Sequence, residues 1–179
     1  VIDETTLGLF PASMEVSKVT GFIYCVNFNL HGDMKPSSVS VIDAETMTEI
    51  TKIKTGSMPH GSRISKDGLK QYSVAMMSGE LFEIDALSLN VTRILNLENR
   101  SGKNHAKMKI GEQKMNHSVV KPTWVIPHPT KNLAFIAGNG SNEIIEVNLD
   151  TWMITKRIKT EKGPYNVEIS PNGKYMIAT

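Results

Sequence analysis

The sequence predicts an all-β fold, a β-propeller built of four-stranded blades, and three observations support this. Short segments rich in β-branched residues alternate with turn signals about every 8–12 residues, as in all-β domains. Similar strings recur along the chain at regular distances. No stretch repeats apolar residues at i, i+3, i+4 and i+7, as an amphipathic helix requires. A four-stranded repeat of roughly 40–45 residues is the size of a propeller blade.

A strand that ends in aspartate is the first repeated feature. Asp3, Asp43, Asp85 and Asp150 end such strands, and they lie 40, 42 and 65 residues apart. The third spacing is too long by about half a repeat. At the end of a strand an aspartate side chain can close the following turn, so we expect Asp43, Asp85 and Asp150 to be structural.

A block that begins with proline is the second repeated feature, and it locates the extra residues. Pro59, Pro122 and Pro164 lead similar strings, and they lie 63 and 42 residues apart. The long interval again falls after Asp85, so the additional residues lie between Asp85 and Pro122. The polar stretch 98–120 is therefore predicted to be an insertion in a repeating scaffold.

The best-preserved repeat predicts four strands, over residues 60–65, 71–77, 81–85 and 91–97. The turns between them contain Gly68 and Gly79, because glycine adopts a positive φ without strain. Applied to the whole chain, this pattern predicts sixteen strands, beginning with a third strand at residues 1–3. The expected order is the end of one blade and the start of the next over 1–20, blades over 21–55 and 56–97, the insertion over 98–120, a blade over 121–160 and the start of another over 161–179.

Four strings of this repeat resemble a known family. They are residues 38–43 (SVSVID), 49–53 (EITKI), 56–61 (GSMPHG) and 65–68 (SKDG). Together they resemble the YVTN-type β-propeller repeat of surface-layer-like and exported bacterial and archaeal proteins. They are also similar to blades of seven-bladed lactonase-like proteins and of the propeller domains of nitrite and nitrous oxide reductases. The sixteen predicted strands amount to about four blades' worth of a larger propeller, because closed propellers mostly need about six to eight blades. The resemblance implies a seven-bladed propeller and a periplasmic or extracellular location.

The composition is that of an ordinary globular chain, and it excludes several classes of function. Twenty basic residues against 18 acidic ones give a net charge of +2, which is too small for a nucleic-acid or membrane-surface protein. The single cysteine excludes a disulfide framework and a cysteine-based zinc site. No apolar run approaches the roughly 18 residues of a membrane-spanning helix, so we expect no membrane span.

Propeller topology sorts the loops onto two faces, and this sorting predicts a site. The links from second to third strands and from fourth strands to the next blade emerge on one face, which we call the loop-rich face. The histidines and the aspartate predicted to lie there are His31, Asp33, His60, His105 and His117. His128 falls in a turn on the opposite face.

Four histidines on one face could hold a metal ion or a haem, because neutral imidazole is the commonest protein ligand of zinc, copper and iron. Met108 and Met115 lie near two of these histidines and would suit copper or an axial haem position. The metal-ligand candidates are His31, His60, His105 and His117.

The repeat positions argue against such a centre. The position of His60 is taken by Thr123 and Tyr165 in the following blades, and we assign it to Ser13 in the preceding one. A multi-histidine copper cluster of the nitrous oxide reductase kind needs imidazoles from successive blades, and here only one blade offers one. We therefore expect no cofactor, with His60 capping its strand by hydrogen bonding, and copper or haem is the alternative.

The insertion carries the excess positive charge of the chain, with five basic residues against two acidic ones. Its lysines join the histidines as binding-face candidates, and they are Lys103, Lys107, Lys109 and Lys114. A basic loop of this kind fits docking to an acidic partner, such as an electron carrier or another subunit, by electrostatic steering. A flexible, solvated lysine loop is the alternative. Nucleic-acid binding is not expected, because the loop has no aromatic residue to stack on a base.

Two functions follow from these observations. No Ser-His-Asp set, phosphate-binding glycine loop or paired carboxylate motif can be placed on one face. We therefore expect a non-catalytic propeller segment that presents its loop-rich face to a protein or ligand partner in the cell envelope or periplasm, with the remaining propeller blades as its other partner. The alternative is part of a periplasmic propeller redox enzyme, or a subunit of one, with a metal or haem near the channel mouth.

Overall fold

The computed structural model describes residues 2–98 and 117–179, in which every regular element is a β-strand. Blade 1 consists of β1 (Pro11–Val16), β2 (Phe22–Asn27), β3 (Pro36–Asp43) and β4 (Thr48–Ser57). Blade 2 consists of β5 (Pro59–Ile64), β6 (Lys70–Ala75), β7 (Glu80–Asp85) and β8 (Asn90–Asn96). Blade 3 consists of β9 (Pro122–Pro127), β10 (Leu133–Gly138), β11 (Glu143–Asn148) and β12 (Met153–Lys159). A half blade consists of β13 (Val167–Ile169) and β14 (Met176–Ala178).

Each blade is a meander of antiparallel strands, in the orders β1-β2-β3-β4, β5-β6-β7-β8 and β9-β10-β11-β12. The first strands β1, β5, β9 and β13 lie side by side in succession, as the inner strands around a propeller axis do. The all-β fold of four-stranded blades that the sequence predicts is thus confirmed. Across the two described ranges, no helix exists that could cross a membrane.

The core lies between the blades. Alternate residues of a strand point to opposite faces of its sheet, and a blade with a neighbour on each side buries both faces. Tyr24 and Val41 of blade 1 pack on Ile84 of blade 2, and on the other face of blade 2 Tyr72 packs with Ile136 of blade 3. Each fully buried aliphatic side chain contributes roughly 1.5–3 kcal/mol to the free energy of unfolding. Because these side chains lie between blades, the contacts between blades are the main source of stability.

Each complete blade begins with a proline that follows a residue in the left-handed region of φ, and a similar pair stands three residues before β13 of the half blade. The four pairs are Phe10-Pro11, Met58-Pro59, Lys121-Pro122 and Gly163-Pro164, with φ of 54°, 53°, 45° and 72° at the first residue. Three of these residues are not glycine, although this region disfavours a side chain. The turn into each first strand is therefore imposed by the packing of the repeat and not by local preference.

The prolines show which positions of the blades are equivalent. In all three complete blades the proline lies opposite the last residue of the second strand. Counted from the prolines, the position of His60 is held by Ala12 in blade 1, and by Thr123 and Tyr165 later in the chain. Its assignment to Ser13 is therefore wrong by one residue. Ser13 instead donates a hydrogen bond from Oγ to the His60 carbonyl at 2.5 Å.

The turn between the third and fourth strands is closed by Asp43, Asp85 and Asn148. In each, Oδ1 accepts hydrogen bonds from the backbone N–H groups two and three residues later, at 2.8–3.1 Å. The structural role expected of Asp43 and Asp85 is confirmed. The expected role of Asp150 is wrong, because Asn148 closes that turn, and an amide oxygen accepts these hydrogen bonds as a carboxylate does.

Residues 2–10 form no strand, so the strand expected over residues 1–3 is absent from its described part. The described ranges hold fourteen strands in place of the expected sixteen. A strand needs a neighbour to satisfy its N–H and C=O groups. Within the described chain, backbone hydrogen bonds reach this segment only at Leu9 and Phe10, whose carbonyls accept them from Asn29 and Phe28.

Candidate functional site

The site residues predicted from the sequence are spread over two links and one strand of the loop-rich face. His31 and Asp33 lie in the link between β2 and β3, His60 is the second residue of β5, and His117 lies in the link before β9. His128 lies in the turn between β9 and β10, on the opposite face. The remaining candidates fall outside the described residues, and they are Lys103, His105, Lys107, Lys109 and Lys114.

The link between β2 and β3 is mostly exposed, and its two candidate residues, His31 and Asp33, are already in contact with neighbouring side chains. Asp33 Oδ2 lies 2.7 Å from the Lys35 ammonium, whose hydrogen bond and charge lower the pKa of Asp33. The His31 ring packs edge to face on Phe10, with 5.6 Å between the ring centroids. The acidic candidate of this face is thus engaged by a lysine two residues away.

His60 lies in a buried aromatic pocket. Only 7% of it is exposed, and the rings of Phe28, Tyr165 and Trp124 surround it at centroid distances of 4.7, 5.1 and 6.2 Å. Burial lowers the pKa of His60, against an opposing effect of the Thr123 backbone, so the imidazole is neutral at pH 7. The Tyr165 hydroxyl oxygen lies 2.5 Å from Nε2 of His60, within hydrogen-bond distance. His60 therefore bonds a side chain of the half blade and does not cap its own strand through this nitrogen.

Four rings form a row along the loop-rich end of the first strands, which we call the aromatic row. Its members are Phe10, Phe28, His60 and Tyr165, with 6.0, 4.7 and 5.1 Å between the centroids of successive rings. The two inner rings are buried, whereas Phe10 is 47% exposed and Tyr165 is 48% exposed. Aromatic side chains, tyrosine in particular, are enriched among the residues that dominate interfaces.

The sequence predicted only one member of the aromatic row, His60. Two others could have been found from the prolines, because Phe10 immediately precedes Pro11 and Tyr165 immediately follows Pro164. Phe28 carries no such signal. It follows the last residue of β2, where an aromatic side chain is equally consistent with an ordinary core position.

The described histidines do not converge on one point. Phe10 and Phe28 lie between His31 and His60, and Nε2 of His60 is engaged by Tyr165. Among residues 2–98 and 117–179, no three His, Cys, Asp or Glu side chains are grouped so that they could hold a metal ion. These residues therefore do not fit a multi-histidine copper centre or a haem ligated through His60.

A second cluster lies towards the other end of the first strands, and we call it the arginine cluster. Arg63 is held between two carboxylates, with Nη1 3.1 Å from Glu15 Oε1 and Nη2 2.7 Å from Glu168 Oε1. Its guanidinium carbon lies 4.6 Å from the ring centroid of Trp124, a cation–π contact. Burial raises the pKa of Glu15, and the charge of Arg63 opposes this effect. The first strands thus carry aromatic side chains at their loop-rich end and charged side chains towards their other end.

Comparison with known proteins supports the fold. No family model and no curated protein matches the chain. Among solved structures, hydrazine synthase of Kuenenia stuttgartiensis matches with a TM-score of 0.73 at 21% sequence identity. The match covers 99% of this chain and 45% of that chain, so the present chain spans less than half the length of this neighbour. At this level of identity the likeness shows a β-propeller fold.

Proposed function

We propose that this chain is a non-catalytic arc of a β-propeller whose loop-rich face binds a partner. The observation that carries the proposal is the aromatic row, which brings rings from blade 1, blade 2 and the half blade together with both ends half-exposed. Aromatic side chains bury a large area at low entropic cost and are enriched among residues that dominate binding. A packed β-scaffold holds these rings in place before a partner arrives, which reduces the cost of ordering them.

The base of the insertion lies on the same face and is held together by hydrogen bonds. Glu98 Oε1 accepts one from the Ser118 hydroxyl at 2.5 Å and one from the Val120 N–H at 3.1 Å. The two ends of the basic stretch are thereby tied to each other. We propose that its lysines, Lys103, Lys107, Lys109 and Lys114, attract an acidic protein partner, which then contacts the aromatic row.

The proposal includes further blades of the YVTN type and a place in the cell envelope or periplasm. The resemblance of the repeat to that of surface-layer-like and exported proteins supports a place in the cell envelope or periplasm. The free side of the half blade supports further blades, because Ile177 in β14 is 68% exposed, whereas Tyr72 at the corresponding position of β6 is buried. An apolar strand of this kind is covered in a closed propeller by the next strand and blade.

A photo-crosslinking residue in place of Tyr165 tests the proposal in the cells that produce the protein. Tyr175 is the matched control, because it is 71% exposed and lies in the turn between β13 and β14, on the opposite face. We expect one acidic protein to be crosslinked reproducibly from position 165 and not from position 175.

The crosslinked protein is then purified and its affinity for the chain is measured. We expect Tyr165→Ala to raise the Kd about tenfold or more, as for a residue that dominates an interface, and Tyr175→Ala to leave it unchanged. Equal crosslinking from both faces, or a Kd that does not respond to Tyr165→Ala, would refute the proposal.

The second candidate is part of a propeller redox enzyme, or a subunit of one, and the likeness to hydrazine synthase favours it because that name describes an enzyme. Metal analysis and an absorption spectrum of the protein purified from its source distinguish the two candidates. Stoichiometric copper or a haem band supports the redox role. If the protein binds its partner and shows neither copper nor a haem band, the result supports the non-catalytic role.

A further inference from the structure

We propose that Arg63 is a binding site for a carboxylate group of a ligand, and that Glu168 occupies this site in the free protein. The site belongs to the arginine cluster, towards the opposite end of the first strands from the aromatic row. It is independent of the function proposed above. A carboxylate that enters from this end displaces Glu168 and takes its place on the guanidinium.

The guanidinium of Arg63 is already oriented. Its carbon lies 4.6 Å from the centroid of the Trp124 ring, and Nη1 lies 3.1 Å from Glu15 Oε1 and 3.1 Å from the Ser62 carbonyl oxygen. Only 18% of the Arg63 side chain is exposed. An arginine that is stacked and bonded in this way loses little freedom when it binds a carboxylate.

One edge of the guanidinium has unused capacity. Arginine binds a carboxylate most strongly through two parallel hydrogen bonds from adjacent N–H groups. Glu168 accepts only one, from Nη2 at 2.7 Å. Nε of Arg63 donates no hydrogen bond to any residue of the described ranges. The edge formed by Nε and Nη2 can therefore take a carboxylate through both of its oxygens.

Glu168 is the carboxylate that can leave. Its side chain is 52% exposed, and it lies in β13, a three-residue strand whose sheet partner β14 is exposed throughout. Exposed ion pairs of this kind contribute little to stability. Glu15 is held more firmly, because it is 30% exposed and belongs to a four-stranded blade. Two carboxylates share one arginine, and the more exposed of them yields to a competitor.

The chemistry of the cluster favours a carboxylate over a phosphate. The group that occupies the site in the free protein is itself a carboxylate. Glu15 remains beside the guanidinium after Glu168 has moved away, and its negative charge repels a doubly charged phosphate more than a singly charged carboxylate. The replacement of Glu168 by a ligand carboxylate leaves the net charge at the arginine unchanged.

Titration of the purified chain with sodium acetate tests the inference, with sodium chloride at the same ionic strength as the reference. The signal is the Arg63 Nε–H resonance in a proton–nitrogen NMR spectrum. We expect a saturable shift with acetate and none with chloride. Glu168→Gln removes the competing charge, so we expect the Kd for acetate to fall about fivefold. Glu161→Gln, an exposed glutamate in the link before β13, should leave the Kd unchanged.

Two further variants keep the test decisive if Glu168→Gln disturbs the fold. Glu168→Asp shortens the competing side chain and should lower the Kd by a smaller factor. Arg63→Lys keeps the charge but loses the paired N–H groups, and it should abolish saturable binding. An acetate Kd that is the same in the wild type and both Glu168 variants overturns the inference. Tighter binding of inorganic phosphate than of acetate overturns it as well.

Discussion

The Tyr165 hydroxyl, in the link that leads into β13 of the half blade, is hydrogen-bonded to Nε2 of His60 in blade 2, although β9 of blade 3 lies between β5 and β13. Both residues directly follow the proline that begins their blade, so equivalent positions of non-adjacent blades meet. Arg63 and Glu168, each three residues farther along, repeat this relationship. The half blade is thus tied to blade 2 by one neutral and one charged contact.

The first prediction concerns the neutral contact. Tyr165→Phe keeps the ring of the aromatic row but leaves Nε2 of His60 without its hydrogen-bond partner in a buried pocket. We expect the free energy of unfolding to fall by about 1 kcal/mol, measured by urea denaturation. Tyr175→Phe is the control, because the Tyr175 side chain is exposed, and it should change nothing. Equal stabilities for the two variants would contradict the prediction.

The second prediction is a dependence of stability on pH through His60. Burial lowers the pKa of His60 in the folded chain, so the unfolded chain takes up a proton first as the pH falls below about 6.5. The unfolded state binds more protons in this range, and stability therefore rises with pH. We expect His60 to make its full contribution to the free energy of unfolding above pH 7. This contribution should be lost progressively as the pH falls through the pKa of His60 in the folded state.

The His60→Phe variant isolates this contribution. The half-buried Glu15 and the buried Glu80, whose pKa values burial raises, act in the opposite direction, because their contribution to stability is lost as the pH rises above about 4.5. They are present in both proteins, so the difference between wild type and variant from pH 5 to 8 reports His60 alone. Parallel curves of stability against pH would show that His60 does not titrate as argued.

Sequence reasoning could predict the fold because a propeller repeats its local signals. Strand-ending acidic residues, blade-starting prolines and hairpin glycines recur in order, and each reflects a turn that the backbone must make in every blade. The same reasoning was wrong at the turn where an asparagine takes the place of the aspartate. Asn148 closes its turn as Asp85 does, so a search for aspartate placed the repeat two residues too late, at Asp150.

The candidate site was predicted less well, because its decisive contacts join blades that are not neighbours. His60 was identified from its repeat position, but its partner Tyr165 depends on how closely the first strands approach each other. The same holds for Arg63 and Glu168. Distances of this kind are set by packing between sheets, and no local pattern of residues encodes them.

The third prediction concerns that close approach. A Cβ atom at Gly61 of β5 would lie 2.6 Å from the Trp124 Cα and 2.8 Å from the Thr123 carbonyl oxygen of β9. Both are backbone atoms, so the two blades would have to move apart. We expect Gly61→Ala to lower the free energy of unfolding by about 1–3 kcal/mol, measured by chemical denaturation.

Gly21→Ala is the comparison that separates crowding from backbone strain. A Cβ there would meet nothing within 4 Å, but the φ of 73° disfavours a side chain, which costs about 1 kcal/mol. Gly61→Ala should also weaken the contact between blades 2 and 3, and the near-ultraviolet signal of Trp124 should change in that variant alone. A Gly61→Ala protein with wild-type stability would show that β5 and β9 are not held as closely as described.

The last prediction concerns Arg93, which joins blades 2 and 3. Its guanidinium forms a two-point ion pair with the buried Glu83, donates to the Leu149 carbonyl at 2.8 Å and lies 4.3 Å from the ring centroid of Trp152. Arg93→Ala leaves the Glu83 carboxylate buried without its cation, and we expect a loss of about 3 kcal/mol. Arg93→Lys keeps a charge but cannot bond at two points, so about half of that loss should remain.

Lys156 is the matched control, because it lies opposite Glu146 in blade 3 as Arg93 lies opposite Glu83 in blade 2. Lys156 is exposed, so Lys156→Ala should change stability by less than about 0.5 kcal/mol. The two alanine variants change equivalent positions of two blades. The difference between their losses of free energy of unfolding therefore measures how much the burial of Arg93 between blades 2 and 3 contributes to stability. If Lys156→Ala and Arg93→Ala lowered the denaturation midpoint equally, the contact of Arg93 with blade 3 would make no contribution to the free energy of unfolding.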